Sequence, residues 1–136
     1  MSVQEQPLIG SLEPIPIRML LADDSDVIRR VLFDFLQDEP LIEIVGEAKD
    51  FTELLEMALA LKPRIVLMDL RMRDQYKFKP EFVRSELQAS AEHVLAMSLS
   101  YDDETVELSY SYGASLLLDK TKLVTDLVRT VEKLCS

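Results

Sequence analysis

The feature that most constrains this chain is the short run Ile65-Val66-Leu67-Met68, which ends in Asp69. Four consecutive apolar residues between Arg64 and a carboxylate predict a strand buried on both faces. Strands of that kind lie in parallel sheets covered by helices, and Pro63 marks the turn into this one. Asp69 stands at the strand's carboxyl end, where open α/β sheets gather their chemistry. On this stretch alone a second reading stays open, in which Asp69 only caps the following loop.

The flanking sequence alternates in the way such a sheet requires. Ile17 to Ala22 predicts a first strand, ending at Asp23-Asp24. Ser25 caps a helix whose stripe at helical period is Val27, Ile28, Val31, Leu32, Phe35 and Leu36. Leu41 to Glu47 is a second, more polar strand, suited to a position near an edge. Asp50 and Glu53 form a capping box before a helix that buries Phe51, Leu54, Leu55, Ala58 and Leu59. After the central strand comes an irregular loop, Leu70 to Lys79, and then Pro80 opens a helix to about Ser90. Val94 to Met97 is a fourth strand, leading into Ser98. Asp102 and Asp103 suit the first turn of a helix that runs to Tyr112 and stops at Gly113. Ala114 to Leu118 is a fifth strand, ending at Asp119-Lys120. Thr121 then opens a last helix with Leu123, Val124, Leu127, Val128, Val131 and Leu134 inward. The order βαβαβαβαβα predicts an α/β fold, a doubly wound five-stranded parallel sheet with five helices.

A chain of 136 residues suits one domain, spanning 17–136 after a flexible tail over 1–16 that carries Pro7, Pro14 and Pro16. Its formal charge of −10 opposes direct binding to nucleic acid or anionic membranes, which need cationic surface. The longest uncharged run, Leu108 to Leu118, is too short for a membrane span. The first residues lack the pattern of a secretory signal. Cys135 is the only cysteine, so no internal disulfide forms, and a cytoplasmic location is the simplest expectation.

In a doubly wound sheet the strand ends bring Asp23, Asp24, Asp69, Ser98 and Lys120 to one rim. Three neighbouring carboxylates repel one another and call for a cation. A hard divalent ion with oxygen ligands, Mg²⁺, fits that donor set. A lysine and a hydroxyl beside it would receive a phosphoryl group, the cations neutralising its charge and the hydroxyl donating a hydrogen bond. Singly, Asp24 could be a cap, Ser98 a loop serine and Lys120 a surface cation.

The stretches LLADDSDVIRRVL, VGEAKD, RIVLMDLRM and GASLLLDK resemble the receiver domains of bacterial two-component response regulators, over about Ile17 to Leu134. The resemblance implies a flavodoxin-like strand order, 2-1-3-4-5. It implies a phosphoacceptor signalling protein rather than an enzyme, with Asp69 taking a phosphoryl group from a phosphohistidine. Asp24 and Asp69 would hold Mg²⁺, Asp23 would act largely through water, and the Arg71 backbone carbonyl would add a ligand. Ser98 and Lys120 would engage the phosphoryl oxygens. The implied partners are a sensor histidine kinase or a histidine phosphotransfer protein, and a downstream protein target. Since no DNA-binding helix pair follows the last helix, output by protein contact or onward phosphotransfer is expected. A second copy is a possible partner through whichever of Val106–Tyr110 and Leu108–Tyr112 stays outside.

Three departures from the family pattern stand out. The loop after Asp69 lacks the usual proline and glycine and is basic, which raises the expectation that one of Arg71, Arg73, Lys77 and Lys79 leans over the acidic pocket. Leu99 occupies a place that is commonly small, which predicts slow phosphorylation and slow hydrolysis. Leu117 replaces an aromatic residue, which puts the usual coupling of Ser98 to the surface in doubt. A pseudo-receiver, signalling by contact without phosphorylation, is the rival reading. A magnesium-dependent phosphatase fits less well, because Arg71 stands where such enzymes carry an acid. His93, at the start of the fourth strand, suits a surface or packing role. Met19, Met57, Met68 and Met97 suit the core.

Overall fold

The computed structural model describes residues 15–136. The expectation of a flexible tail therefore concerns residues that lie almost wholly outside the described ones. Strands β1 (Ile17–Ala22), β2 (Ile42–Ala48), β3 (Ile65–Asp69), β4 (His93–Ser98) and β5 (Leu116–Asp119) alternate with five α-helices. These are α1 (Asp26–Leu36), α2 (Phe51–Leu61), α3 (Pro80–Ser90), α4 (Asp103–Ser111) and α5 (Leu123–Cys135). Every strand pairing is parallel, and the order is β2-β1-β3-β4-β5, the expected 2-1-3-4-5.

All five residues of the central strand β3 are buried, because helices cover both faces of the sheet. Val66 and Met68 join Leu20 and Ala96 under Phe51, Leu54, Val83 and Leu87. Ile65 and Leu67 face the other way, with Met19 and Met97, against Leu32, Leu36, Leu127 and Val131. Two separate cores thus hold one strand, and neither would tolerate a polar residue at positions 65–68.

Several boundaries differ from the sequence expectation. Strand β5 begins at Leu116, because Gly113, at φ +95, and a bond from Ala114 N to Ser109 O extend the end of α4. The last α-helix begins at Leu123, since the Asp119 carboxylate accepts from Thr121 N and sets a 3₁₀ turn over Lys120–Lys122. The buried helix stripes are also narrower than expected. Val27 (70%), Val31 (50%), Leu59 (60%) and Val124 (56%) are exposed. A helix lying on a sheet buries a line of side chains, and apolar residues at its margins stay in water. On α4, Tyr112 is buried and Tyr110 exposed.

The loop after β3 is not free. Leu70 and Met72 are buried, and Asp74 turns inward at 4% exposure. Its carboxylate accepts from the amides of Phe51 (2.8 Å) and Thr52 (3.0 Å) and from the Thr52 hydroxyl (2.6 Å). Those donors open α2, whose partial positive charge favours an anion. Asp50 caps the same turn by accepting from Glu53 N at 2.8 Å. One helix end is thus capped by its own N-cap and by a loop 22 residues further along, and the second cap fixes the path of that loop without a proline or a glycine.

Burial would raise the Asp74 pKa, but the three hydrogen bonds outweigh it and hold the carboxyl below its ordinary range. The stabilisation is therefore complete above the unfolded value of about 3.9 and declines as pH falls through the lower folded value. Asp74→Ala leaves two amides without acceptors and should cost about 2 kcal/mol in urea unfolding at pH 7. A change within error would show that the loop is held by Leu70 and Met72 alone.

Candidate functional site

The parallel register places the strand ends side by side. Ala22 pairs with Met68 and Asp69 with Met97, so Asp23 follows β1 beside Asp69, and Ser98 follows Met97 on the other flank. Ser98 in turn pairs with Asp119, which puts Lys120 next along the rim. All five residues expected there are found at the carboxyl edge of the sheet.

Asp23 is fully buried, and one of its oxygens accepts from Ser25 N at 2.9 Å. The other, Oδ2, makes no hydrogen bond, yet it stands 2.7 Å from Lys120 Nζ. The contact is an ion pair off the angle of a hydrogen bond. Lys120 Nζ lies 3.3 Å from Asp69 Oδ2, so one ammonium bridges two carboxylates. Burial disfavours the ammonium, but the two anions outweigh that and keep the Lys120 pKa above its usual value. Asp69 is pushed above the ordinary carboxylate range, chiefly by burial. Lys120 opposes that rise, Asp23 adds to it, and the Arg71 amide, 3.4 Å from Asp69 Oδ1, works against it.

Asp24, half-buried, completes the acidic group: one oxygen from each of Asp23, Asp24 and Asp69 falls within 4.8 Å of the others. Two observations fit this group to a hard divalent cation. The donors are all carboxylate oxygens, and a buried Asp23 oxygen lacks a hydrogen-bond donor. His93 and Cys135, the softer donors, lie elsewhere: His93 at the amino end of β4 and Cys135 at the end of α5.

The expectation that one of Arg71, Arg73, Lys77 and Lys79 leans over the pocket is not met. All four are exposed, and none comes within 4.0 Å of a carboxylate among the described residues. The cation over the pocket is Lys120, which arrives from β5, while Asp74 pulls the β3–α3 loop toward α2. Arg71 also turns outward, lining a small cleft with Glu104, Glu107 and Ser111 on α4. Leu99 is 76% exposed beside Ser98.

Sequence reasoning missed the loop between β4 and α4. Ser98 Oγ accepts from Ser100 N at 3.0 Å, and the Ser100 hydroxyl donates to Asp102, the N-cap of α4. Tyr101 reaches across to β5, where its hydroxyl donates to the Leu117 carbonyl at 2.9 Å. Leu117, where the resemblance led to the expectation of an aromatic, is itself buried in the core. An aromatic residue is thus present at this edge, supplied from the neighbouring loop. Only its spacing of three residues after Ser98 could have hinted at that.

No family model matches the chain. The transcriptional regulatory protein LiaR of Bacillus subtilis is 34% identical over 122 residues, covering 86% of this chain and 56% of LiaR. The transcriptional regulatory protein PdtaR of Mycobacterium tuberculosis is 35% identical over 120 residues, covering 87% of this chain and 56% of PdtaR. The chain therefore spans about half the length of these relatives. Among solved structures, the signal receiver domain of the response regulator NarL from Mycobacterium tuberculosis superposes with a TM-score of 0.77 at 25% identity. It covers 89% of this chain and 97% of that one. The response regulator domain of Thermotoga maritima CheB gives 0.73 at 26% identity, with 88% and 96% covered. No helix among the described residues is long and apolar enough to cross a membrane. The sequence likeness to whole regulators, the near-complete overlap with their receiver domains and the strand order together make this chain a receiver domain of the response-regulator family.

Proposed function

We propose that the chain is a cytoplasmic phosphorylation switch in which Asp69 accepts a phosphoryl group. The observation that carries this reading is the single ammonium of Lys120 set between Asp23 and Asp69, with a third carboxylate within reach. Such a cluster is costly to the fold and is best explained by chemistry done there. The donor would be a phosphohistidine on a sensor histidine kinase or a histidine phosphotransfer protein. An Asp69 oxygen attacks phosphorus, the P–N bond breaks as the P–O bond forms, and the imidazole leaves with the bonding pair. Lys120 and Ser98 each take a phosphoryl oxygen, one by charge and one by hydrogen bond. Asp23, Asp24, Asp69 and the Arg71 carbonyl would hold Mg²⁺, which supplies positive charge to the transferring group. Hydrolysis by water at phosphorus returns the carboxylate and resets the switch.

Output follows from Ser98. To give its proton to a phosphoryl oxygen it must turn, which disturbs its bond from Ser100 N and the loop carrying Tyr101. The Tyr101 hydroxyl on Leu117 resists that movement, so the clamp and the engaged Ser98 compete. Phosphorylation would bias this two-state loop, and a downstream protein would read the bias at the α4–β5 edge.

Intact-mass measurement after incubation with acetyl phosphate and Mg²⁺ should show one added phosphoryl group, absent in Asp69→Asn. No addition to the unsubstituted protein would leave a pseudo-receiver. In the same assay Leu99→Ala should both load and lose the group faster, if Leu99 shields the site.

Without divalent cation at pH 7, Asp69→Asn should raise the melting temperature by about 3–6 °C, because it removes a charge the fold disfavours. Since the Asp69 pKa is raised in the folded state, that penalty applies only where the carboxyl is ionised. The gain should therefore shrink as pH falls through the folded pKa and vanish below about 3.9. A pH-independent gain would assign it to packing.

Tyr101→Phe, which removes the clamp and little else, should bind the phosphoryl mimic beryllofluoride about fivefold more tightly. Equal affinity would detach Tyr101 from the switch.

A further inference from the structure

We infer that the loop between β3 and α3 is a docking ridge for an acidic segment of a partner protein. Four of the chain's 15 lysines and arginines, Arg71, Arg73, Lys77 and Lys79, fall within nine residues of a chain whose formal charge is −10. All four are exposed, and none forms an ion pair within 4.0 Å among the described residues. The one carboxylate between them, Asp74, is spent on the N-terminus of α2 and offers no local neutralisation.

Exposed aromatic surface lies among these cations. Tyr76 is 80% exposed in the 3₁₀ turn Gln75–Lys77, and Phe82 is 49% exposed on the first turn of α3, stacked at 6.2 Å on Phe78. Lysine, arginine and aromatic rings together match carboxylates flanking an apolar residue. The ridge is also built to keep its shape. The Asp74 bonds and the buried Leu70 and Met72 fix the approach to the turn, and Phe78, packed on the core, fixes its far end, so little conformational freedom is lost on binding.

The occupant is a polypeptide rather than a nucleic acid because the positive field is short. It is flanked by the pocket's Asp23 and Asp24 on one side and by Asp103, Glu104 and Glu107 of α4 on another, all but Asp23 and Asp24 exposed. A continuous polyanion would run onto these acids, whereas a brief acidic segment fits between them. The inference does not depend on phosphorylation of Asp69.

The test uses the full chain and a random copolymer of glutamate and tyrosine, followed by amide chemical shifts and by titration at low and high salt. The copolymer should bind with shifts centred on residues 71–82, and more weakly as salt rises. Arg73→Glu with Lys77→Glu should reduce affinity about tenfold or more, and Tyr76→Ala about threefold, whereas Lys62→Glu with Lys133→Glu, equal in charge, should change it little. Absence of binding, or equal losses in the two charge-reversed pairs, would overturn the proposal. So would equal or tighter binding of a single-stranded oligodeoxynucleotide of the same charge, which would make the ridge a nucleic-acid contact.

Discussion

Lys120 between Asp23 and Asp69 is the constraint that the rest of the structure has to meet. An ammonium at 2.7 Å and 3.3 Å from two buried carboxylates can be held only if three strand ends stop at matching heights. Each group alone would be expensive to bury, and removing the cation would leave two anions facing each other in a poorly solvated edge. The ammonium brings one positive charge to three carboxylates, and Asp24 is the one it does not reach within 4.0 Å. That remainder is what gives the site an appetite for a second cation.

The sheet does the positioning. Because β3 is locked from both faces, Asp69 cannot shift along the strand without dragging Ile65 to Met68 through two packed cores. Parallel pairing on either side then sets Asp23 and Ser98 by register, with no need for local contacts among the functional side chains. Conformational freedom is left to the loops, which carry the smaller and more adjustable hydrogen bonds of Ser98, Ser100 and Tyr101.

What the sequence makes legible follows the same division. The order of elements, the buried β3 and the residues at the strand ends can all be read from apolar runs that stop at polar residues, because burial imposes a period. The loops impose none. Asp74 looks like a lone acid in a basic stretch, and only its three-dimensional placement reveals two amides and a hydroxyl from a helix 22 residues earlier. Tyr101 carries no periodic signal either, and the loss of an aromatic at Leu117 suggests a missing part rather than a relocated one. Val27, Val31, Leu59 and Val124 mislead in the opposite sense: they satisfy the helical spacing, but the sheet beneath is covered without them.

Relocation matters for how such a switch could be wired. An aromatic on β5 would report on Ser98 by filling space behind it, a coupling made of packing. Tyr101 sits on the same loop as Ser98 and is held by one hydrogen bond to a backbone carbonyl, so under the proposed function the coupling would be made of a breakable polar contact. Packing transitions in a dense core tend to be abrupt, whereas a single partly exposed hydrogen bond contributes only about 1 kcal/mol and can exchange with water. The bias between the two loop states should therefore be modest, and a partner bound at the edge could add as much free energy as the phosphoryl group itself. In that case protein contact and phosphorylation act on one equilibrium as comparable inputs, which is how a chain with an intact acidic pocket could also show pseudo-receiver behaviour.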